Sequence, residues 1–267
     1  MAKPLLPDPL WGLIEPLLLK HPPSPKGGRP RVPDRAALTG ILFVLKAGLA
    51  WEDLPREMGC GSGMTCWRRL RDWHADGTWT RIHAVLLDRL DQAGTIDWSR
   101  AAVDSSSVRA AFGGEATGPS PVDRAKPGSK HHVMVDGNGI PLSCAVGPAN
   151  RHDVLFLLLL LLSIPLRLAP GRTDDPLPKR LLADEAYDCS GRRDILRWLG
   201  VEPAIAQRRR EHGSGLGKER YVVERTLGNL HQNRRLRIRY EKRKDIHEAF
   251  LTLACVKLCY YRLAAAA

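Results

Sequence analysis

The chain contains no C-x-x-C pair and no second cysteine pair at zinc-finger spacing. Its six cysteines, at 60, 66, 144, 189, 255 and 259, therefore point to reduced thiols in a cytosolic protein, not to a zinc module or a disulfide scaffold. Met1 to Pro9 lacks the apolar stretch of a signal peptide. The longest apolar run, Val154 to Leu162, is soon followed by Pro165 and Arg167. It is too short to cross a bilayer, and a buried helix is expected there. Internal repeats and coiled-coil heptads are also missing. Acidic residues are under-represented, with 29 Asp and Glu against 41 Lys and Arg and a net charge of +12. Such an excess favours a polyanionic partner and says nothing about fold. It is also unevenly placed: between Ile205 and Lys244, thirteen Lys and Arg face four Glu.

What is present is a chain of 267 residues with 43% apolar content, enough for one large domain or two modest ones. Asp8-Pro9 reads as an N-cap followed by proline in the first turn of a helix. His21 to Pro33, rich in Pro, Gly, Lys and Arg, reads as a linker or arm. A second helix is predicted from Pro33-Asp34 to about Gly48, and a short helical piece from Trp51 to Met58. Ser62 is placed to cap a third helix over Met64 to His74, and a fourth spans Trp79 to Gln92. Residues 1–95 are thus expected to form an all-helical, DNA-binding domain of helix-turn-helix type.

The pattern changes at Gly94. Ser99 to Val108 is strand-like, and Ala110 to Ser129 is a Gly/Pro/Ser-rich insertion. Two β-prone runs, His131 to Val135 and Ile140 to Val146, flank Asp136-Gly137-Asn138-Gly139, a strong hairpin signal. Helices are predicted over His152 to Ser163, Ser190 to Leu199, Tyr221 to Asn233 and Asp245 to Leu263. Strands are predicted over Arg180 to Ala183 and Glu202 to Ala206. The order β-β-β-α-β-α-β-α with a terminal helix predicts a mixed sheet covered by helices, the ribonuclease-H-like arrangement, over residues 96–267.

Three acids stand in sequence that would not hold a carboxylate by chance. Asp104 closes the run Ala101 to Val103, Asp184 closes Leu181 to Ala183, and Glu224 opens an arginine-rich stretch. An acid at the end of a buried strand is costly unless compensated. Carboxylates on the first strand, the fourth strand and a late helix of one fold suggest a divalent cation acting on phosphodiesters. Asp136 is better explained by its turn. Glu185 would point away from Asp184 if both lay on a strand. Ser105 to Ser107 have no evident activating base.

Several segments in order resemble the DDE transposases of bacterial insertion sequences, in the group named after insertion sequence number five. They are Gly114 to Arg124, Gly128 to His132, Ala149 to Asp153, Ala183 to Asp188 and Arg220 to Thr226. The likeness implies Asp104, Asp184 and Glu224 as the catalytic acids, holding two Mg²⁺ ions with Mn²⁺ able to substitute. Of the family's Tyr-Arg-Glu-Lys signature, Arg220 and Glu224 keep their four-residue step. Gly217 stands at the tyrosine position and His231 at the lysine position.

DNA contacts are expected from Arg29 and Arg31, as a minor-groove arm, and from Arg68, Arg69 and Arg71 on a recognition helix. Lys130, Arg220, Arg225, Arg234, Arg235, Arg237 and Arg239 are expected at phosphates near the cut. The function so read is a transposase that binds terminal inverted repeats, cleaves a strand and joins its end to target DNA. It is expected to work as a homodimer or larger assembly, in the bacterial cytoplasm at the nucleoid, with no membrane. The rivals are a nuclease of the same fold, a non-catalytic DNA-binding regulator and an RNA-binding protein.

Overall fold

The computed structural model describes residues 4–19, 30–207 and 216–266. Helix α1 (Asp8–Ile14) starts one residue earlier than expected: Pro7 is the N-cap, and the Asp8 carboxylate pairs with Arg35 instead of capping. Helix α2 (Asp34–Ala47) stops where Gly48 turns left-handed at φ +75°, the conformation glycine adopts without a Cβ clash. Two short 3-10 turns, Trp51–Asp53 and Arg56–Met58, lead to α3 (Gly63–Ala75). There the Ser62 hydroxyl accepts the Thr65 N–H at 3.2 Å, the cap the sequence indicated. Only Asp76-Gly77 separates α3 from α4 (Thr78–Gln92). The connection between α2 and α3 is therefore much longer than the three or four residues of a tight helix-turn-helix.

The second half carries one mixed sheet. Strands β1 (Ala101–Ala110), β3 (Pro127–Asp136) and β4 (Pro141–Pro148) form an antiparallel meander. Strands β5 (Arg180–Ala183) and β6 (Glu202–Ile205) continue it parallel to β1, giving the order β4-β3-β1-β5-β6. Two two-residue strands border it: β2 (Gly118–Pro119) beside β3, and β7 (Ile238–Arg239) beside the end of β1. With helices α5 (Val154–Leu162), α6 (Ser190–Trp198), α7 (Leu216–Leu230) and α8 (Lys244–Ala266), this is the ribonuclease-H-like order: three antiparallel strands, then two parallel ones reached by helical crossovers.

Strand alternation sorts the helices. His131 and His132 are neighbours on β3 and must face opposite sides. His131 meets His231, just beyond α7, and His247 on α8, whereas His132 stacks on Phe156 of α5 at 3.7 Å. So α7 and α8 cover one face and α5 the other. The apolar run of α5 is less buried than expected. Leu157, Leu160 and Leu161 pack inward, while Leu155, Leu159 and Leu162 form a half-exposed stripe, because the helix meets the sheet along one side only. Helix α8 is the one described helix long and apolar enough to cross a membrane, and it is half buried inside the fold. It packs against α4 and β4, and His83 of α4 hydrogen-bonds the Pro141 carbonyl at 2.8 Å. The helical region and the sheet thus share one continuous core.

Candidate active site

Strand register brings two of the three acids together. Ala101 pairs with Leu181 and Ala102 with Leu182. Asp104 and Asp184 lie three residues beyond Ala101 and Leu181 on these adjacent parallel strands. They are therefore level with each other: Asp104 is the fourth of the ten residues of β1, and Asp184 follows the last residue of β5. Asp104 is directly opposite Val133, two residues from His131, so it points to the α7 face. Asp184 ends β5 and starts a 3-10 turn, its Oδ1 accepting the Ala186 N–H at 3.0 Å. Glu185 opens that turn and is exposed, so the expected strand alternation does not continue past Asp184.

Helix α7 supplies the third acid and a cation. Arg220 and Glu224 are one turn apart and share a face. An Arg220 Nη lies 3.8 Å from Asp104 Oδ2 and 4.0 Å from Asp184 Oδ2. Burial raises the Asp104 pKa to about 6, and the Asp184 and Glu224 charges add to the rise; the Ser105 N–H at 2.7 Å and Arg220 oppose it. Glu224 is exposed but close enough to be felt electrostatically at Asp104. The helix is pinned by its neighbours. Glu219 ion-pairs with Arg100 and Arg180, each at 3.6 Å. The hairpin turn packs beneath it: Thr226 donates to the Gly139 carbonyl at 2.8 Å and Arg225 to Asn138 at 3.2 Å. Gly139 is required here, with φ +83° and a Cβ position only 3.0 Å from Thr226 Oγ1. Asp136 belongs to that turn, as expected: its carboxylate accepts the N–H groups of Asp97, Asn138 and Ile140.

The donor set suits a hard divalent ion, being carboxylate oxygens on adjacent strands that already face a cation. Among the described residues, no group of three or more His, Cys, Asp or Glu forms a ready-made metal cage. Asp104 and Asp184 share the Arg220 guanidinium instead.

The other face carries Lys130, expected at a DNA phosphate, together with His132, Asp153 and Tyr187, to which the sequence reading gave no role. Lys130 and His132 share that side of β3, and both approach Asp153 at the start of α5, at 2.8 and 3.8 Å. Burial lowers the His132 pKa to about 4 despite Asp153, so the ring is neutral at neutral pH. Tyr187 is fully buried, and burial followed by the Asp153, Asp104 and Asp184 charges pushes its phenol well up. The signal was present: Asp153 ends the segment Ala149 to Asp153, and Tyr187 follows Asp184 by three residues.

The expected DNA contacts divide by burial. Arg29 lies outside the described residues, with most of the predicted linker. Arg31, Arg68, Arg225, Arg234 and Arg237 are exposed, and Arg71 is half-buried beside Trp67. Arg69 is buried, paired with Asp34 and hydrogen-bonded to the Val32 carbonyl. Arg235 is buried against Glu241 at 2.7 Å and the Leu49 carbonyl at 2.9 Å. Arg239 is buried between Glu241, Ser129 and Ala116. These three are struts of the fold, and their guanidinium groups do not reach the surface. Lys130 is tied to Asp153.

His231, at the signature's lysine position, also turns inward. Its Nε2 lies 3.1 Å from His131 Nδ1, His131 Nε2 lies 2.7 Å from His247 Nε2, and His247 Nδ1 lies 3.2 Å from Glu241. A carboxylate only accepts, which fixes the chain. His247 donates Nδ1–H to Glu241 and accepts from His131, which in turn accepts from His231. Burial, first among the causes, lowers all three histidine pKa values.

Comparison with known proteins agrees with this geometry. Residues 98–259 match the family model described as "Transposase DDE domain", and residues 6–83 match "Putative transposase of IS4/5 family". The chain is 52% identical over 154 residues to the "Putative transposase for insertion sequence element IS402" of Burkholderia cepacia, spanning 57% of this chain and 72% of the relative. It is 62% identical over 125 residues to the "Insertion element IS402 uncharacterized 16.2 kDa protein" of the same organism, 45% of this chain and 84% of that one. A chain of the crystal structure of the Mos1 Strand Transfer Complex overlaps 90% of this chain and 80% of its own length. Its TM-score is 0.27 and its identity 12%, too loose a fit to carry weight. Transposases with a DDE domain act on DNA and use divalent metal ions. With one family model matching more than half of its length and a relative half identical to it, this chain belongs to the DDE transposases of the IS4/5 family.

Proposed function

We propose that Asp104, Asp184 and Glu224 are the catalytic acids of a transposase that binds the terminal inverted repeats of its element, cuts there and joins the freed end to target DNA. One observation carries this reading: two carboxylates level on adjacent parallel strands, facing Arg220 on the helix that also carries Glu224. Asp104, the more buried of the two, feels the charges of both Asp184 and Glu224 and would help to hold both Mg²⁺ ions. Asp184 would complete one site and Glu224 the other. When bound, such ions activate the attacking oxygen and stabilise the leaving one, and Mn²⁺ would serve in place of Mg²⁺. The protein's own part is placement. The β1–β5 register sets the acids, the hairpin turn holds α7 over them, and burial keeps bulk water from Asp104.

Both steps are in-line displacements at phosphorus, water attacking first and the freed 3′-OH second. Arg220 and Arg225 border the acids on α7, and the exposed Arg31, Arg68 and Arg234, with half-buried Arg71, are available to the DNA backbone. Residues 1–95 would supply end recognition and residues 96–267 the chemistry. Two ends must be held at once, so a dimer or larger assembly is the working form, in the cytoplasm at the nucleoid. The test is strand cleavage and joining with Mg²⁺ by Asp104→Asn and Asp184→Asn. Each is expected to lose at least about a hundredfold, since even groups that merely orient metal ligands cost ten- to a hundredfold. Near wild-type cutting by either would refute the assignment. Cleavage with no joined product in the wild type would instead favour a nuclease.

A further inference from the structure

Arg220 makes a contact that a simple phosphate binder would not need. Its Nη is almost equidistant from Asp104 and Asp184, at 3.8 and 4.0 Å. Both distances exceed hydrogen-bonding range, whereas an arginine committed to a carboxylate closes to about 2.8 Å, often through two nitrogens. Its Nε is buried with no hydrogen-bond partner among the described residues. The guanidinium is therefore a counter-ion at the mouth of the acid pair, attracted to both carboxylates and bonded to neither. Among the described residues, no other Lys or Arg ion-pairs with Asp104 or Asp184. A divalent ion bound by these two acids would bring a double positive charge against Arg220, and the like charges would expel the side chain. The planar group fits a phosphate oxygen pair as well as a carboxylate. It lies on the helix whose next turn carries exposed Arg225.

We propose that Arg220 is an exchangeable counter-ion: it neutralises Asp104 and Asp184 while no divalent cation is there, and passes to a DNA phosphate when one is. This rests on the assignment of those acids as metal ligands. Two consequences follow from one exchange. Arg220 weakens metal binding by the free protein, and metal strengthens DNA binding by releasing Arg220. Linkage adds the converse: DNA strengthens metal binding by the same factor by which metal strengthens DNA binding.

The experiment uses the full chain. Mn²⁺ binding is followed without DNA by the loss of the free-ion paramagnetic resonance signal, for wild type, Arg220→Gln, Arg220→Lys and Asp104→Asn. Affinity for a labelled duplex, taken from the DNA flanking the reading frame, is then measured with Ca²⁺ or with chelator. Arg220→Gln is expected to bind Mn²⁺ about five- to tenfold tighter, and Arg220→Lys, which keeps the charge, to stay near wild type. The Ca²⁺-dependent gain in duplex affinity should be present in wild type and lost in Arg220→Gln. Unchanged or weaker Mn²⁺ binding by Arg220→Gln, with loss of binding in Asp104→Asn, overturns the exchange and leaves the metal site standing. Mn²⁺ binding unaffected by Asp104→Asn overturns the acid assignment itself, and the exchange with it.

Discussion

Two rungs of the β1–β3 ladder, with one rung between them, face the same side of the sheet and have opposite chemistry. The rung Asp104–Val133 opens the acid site, and the rung Ser106–His131, roughly 7 Å along, enters the histidine chain. In the chain every polar group is matched. His231, His131 and His247 pass one hydrogen bond to the next, Glu241 receives the last, and Arg235 neutralises Glu241. Burial pushes the Glu241 carboxyl up most, yet the His247 bond and Arg235 together hold its pKa below the ordinary value. In the acid site the balance runs the other way. Asp104 receives one backbone N–H and a distant guanidinium, and its pKa rises to about 6. Buried polar groups that are fully satisfied fix a structure, whereas groups left in excess charge await a ligand. The histidine rung holds the acid rung in place, tying β3, the end of α7 and α8 together beside the acids.

Breaking the saturated rung should cost the most. Glu241→Gln leaves Arg235 buried without its counter-charge, and His247 without an anionic acceptor. A loss of about 3–5 kcal/mol in unfolding free energy is expected, measurable by denaturant titration. A change below about 1 kcal/mol would show that the network carries no more than a surface ion pair.

Relaxing the unsatisfied rung should have a smaller effect of the opposite sign. The Asp104 carboxyl has a folded pKa of about 6 against an ordinary 3.8. The stability it contributes is thus fully present below pH 4 and is lost as pH rises through 6. Asp104→Asn does not titrate, so with chelator present the variant should match wild type near pH 4 and become more stable above pH 6. The gain should approach about 3 kcal/mol. Thermal melts across that range check it, and a variant less stable than wild type at pH 7 would contradict it.

The acid rung was legible in the sequence because its signals are local. Each aspartate follows a short apolar run, Ala101 to Val103 or Leu181 to Ala183, and the Asp-Gly-Asn-Gly turn sets the β3–β4 hairpin. The saturated rung was not legible. His131, His231, Glu241 and His247 come from four segments, and nothing local links them. The buried arginines misled for the same reason: Arg69 finds Asp34 across thirty-five positions, so a run of cationic side chains on α3 looked like one exposed surface. The strands β2 and β7, two residues each, are too short for an alternating pattern. The α5 run was apolar on every side, and composition alone could not show that the sheet covers only one of them.

The central claim is that Asp104, Asp184 and Glu224 form the metal site. It is tested most directly by anomalous diffraction from crystals of the full chain soaked in Mn²⁺. The expected result is a peak within about 2.0–2.3 Å of carboxylate oxygens of both Asp104 and Asp184, with the Arg220 guanidinium displaced from between them. Manganese bound elsewhere, with Arg220 still between the two acids, would contradict the account.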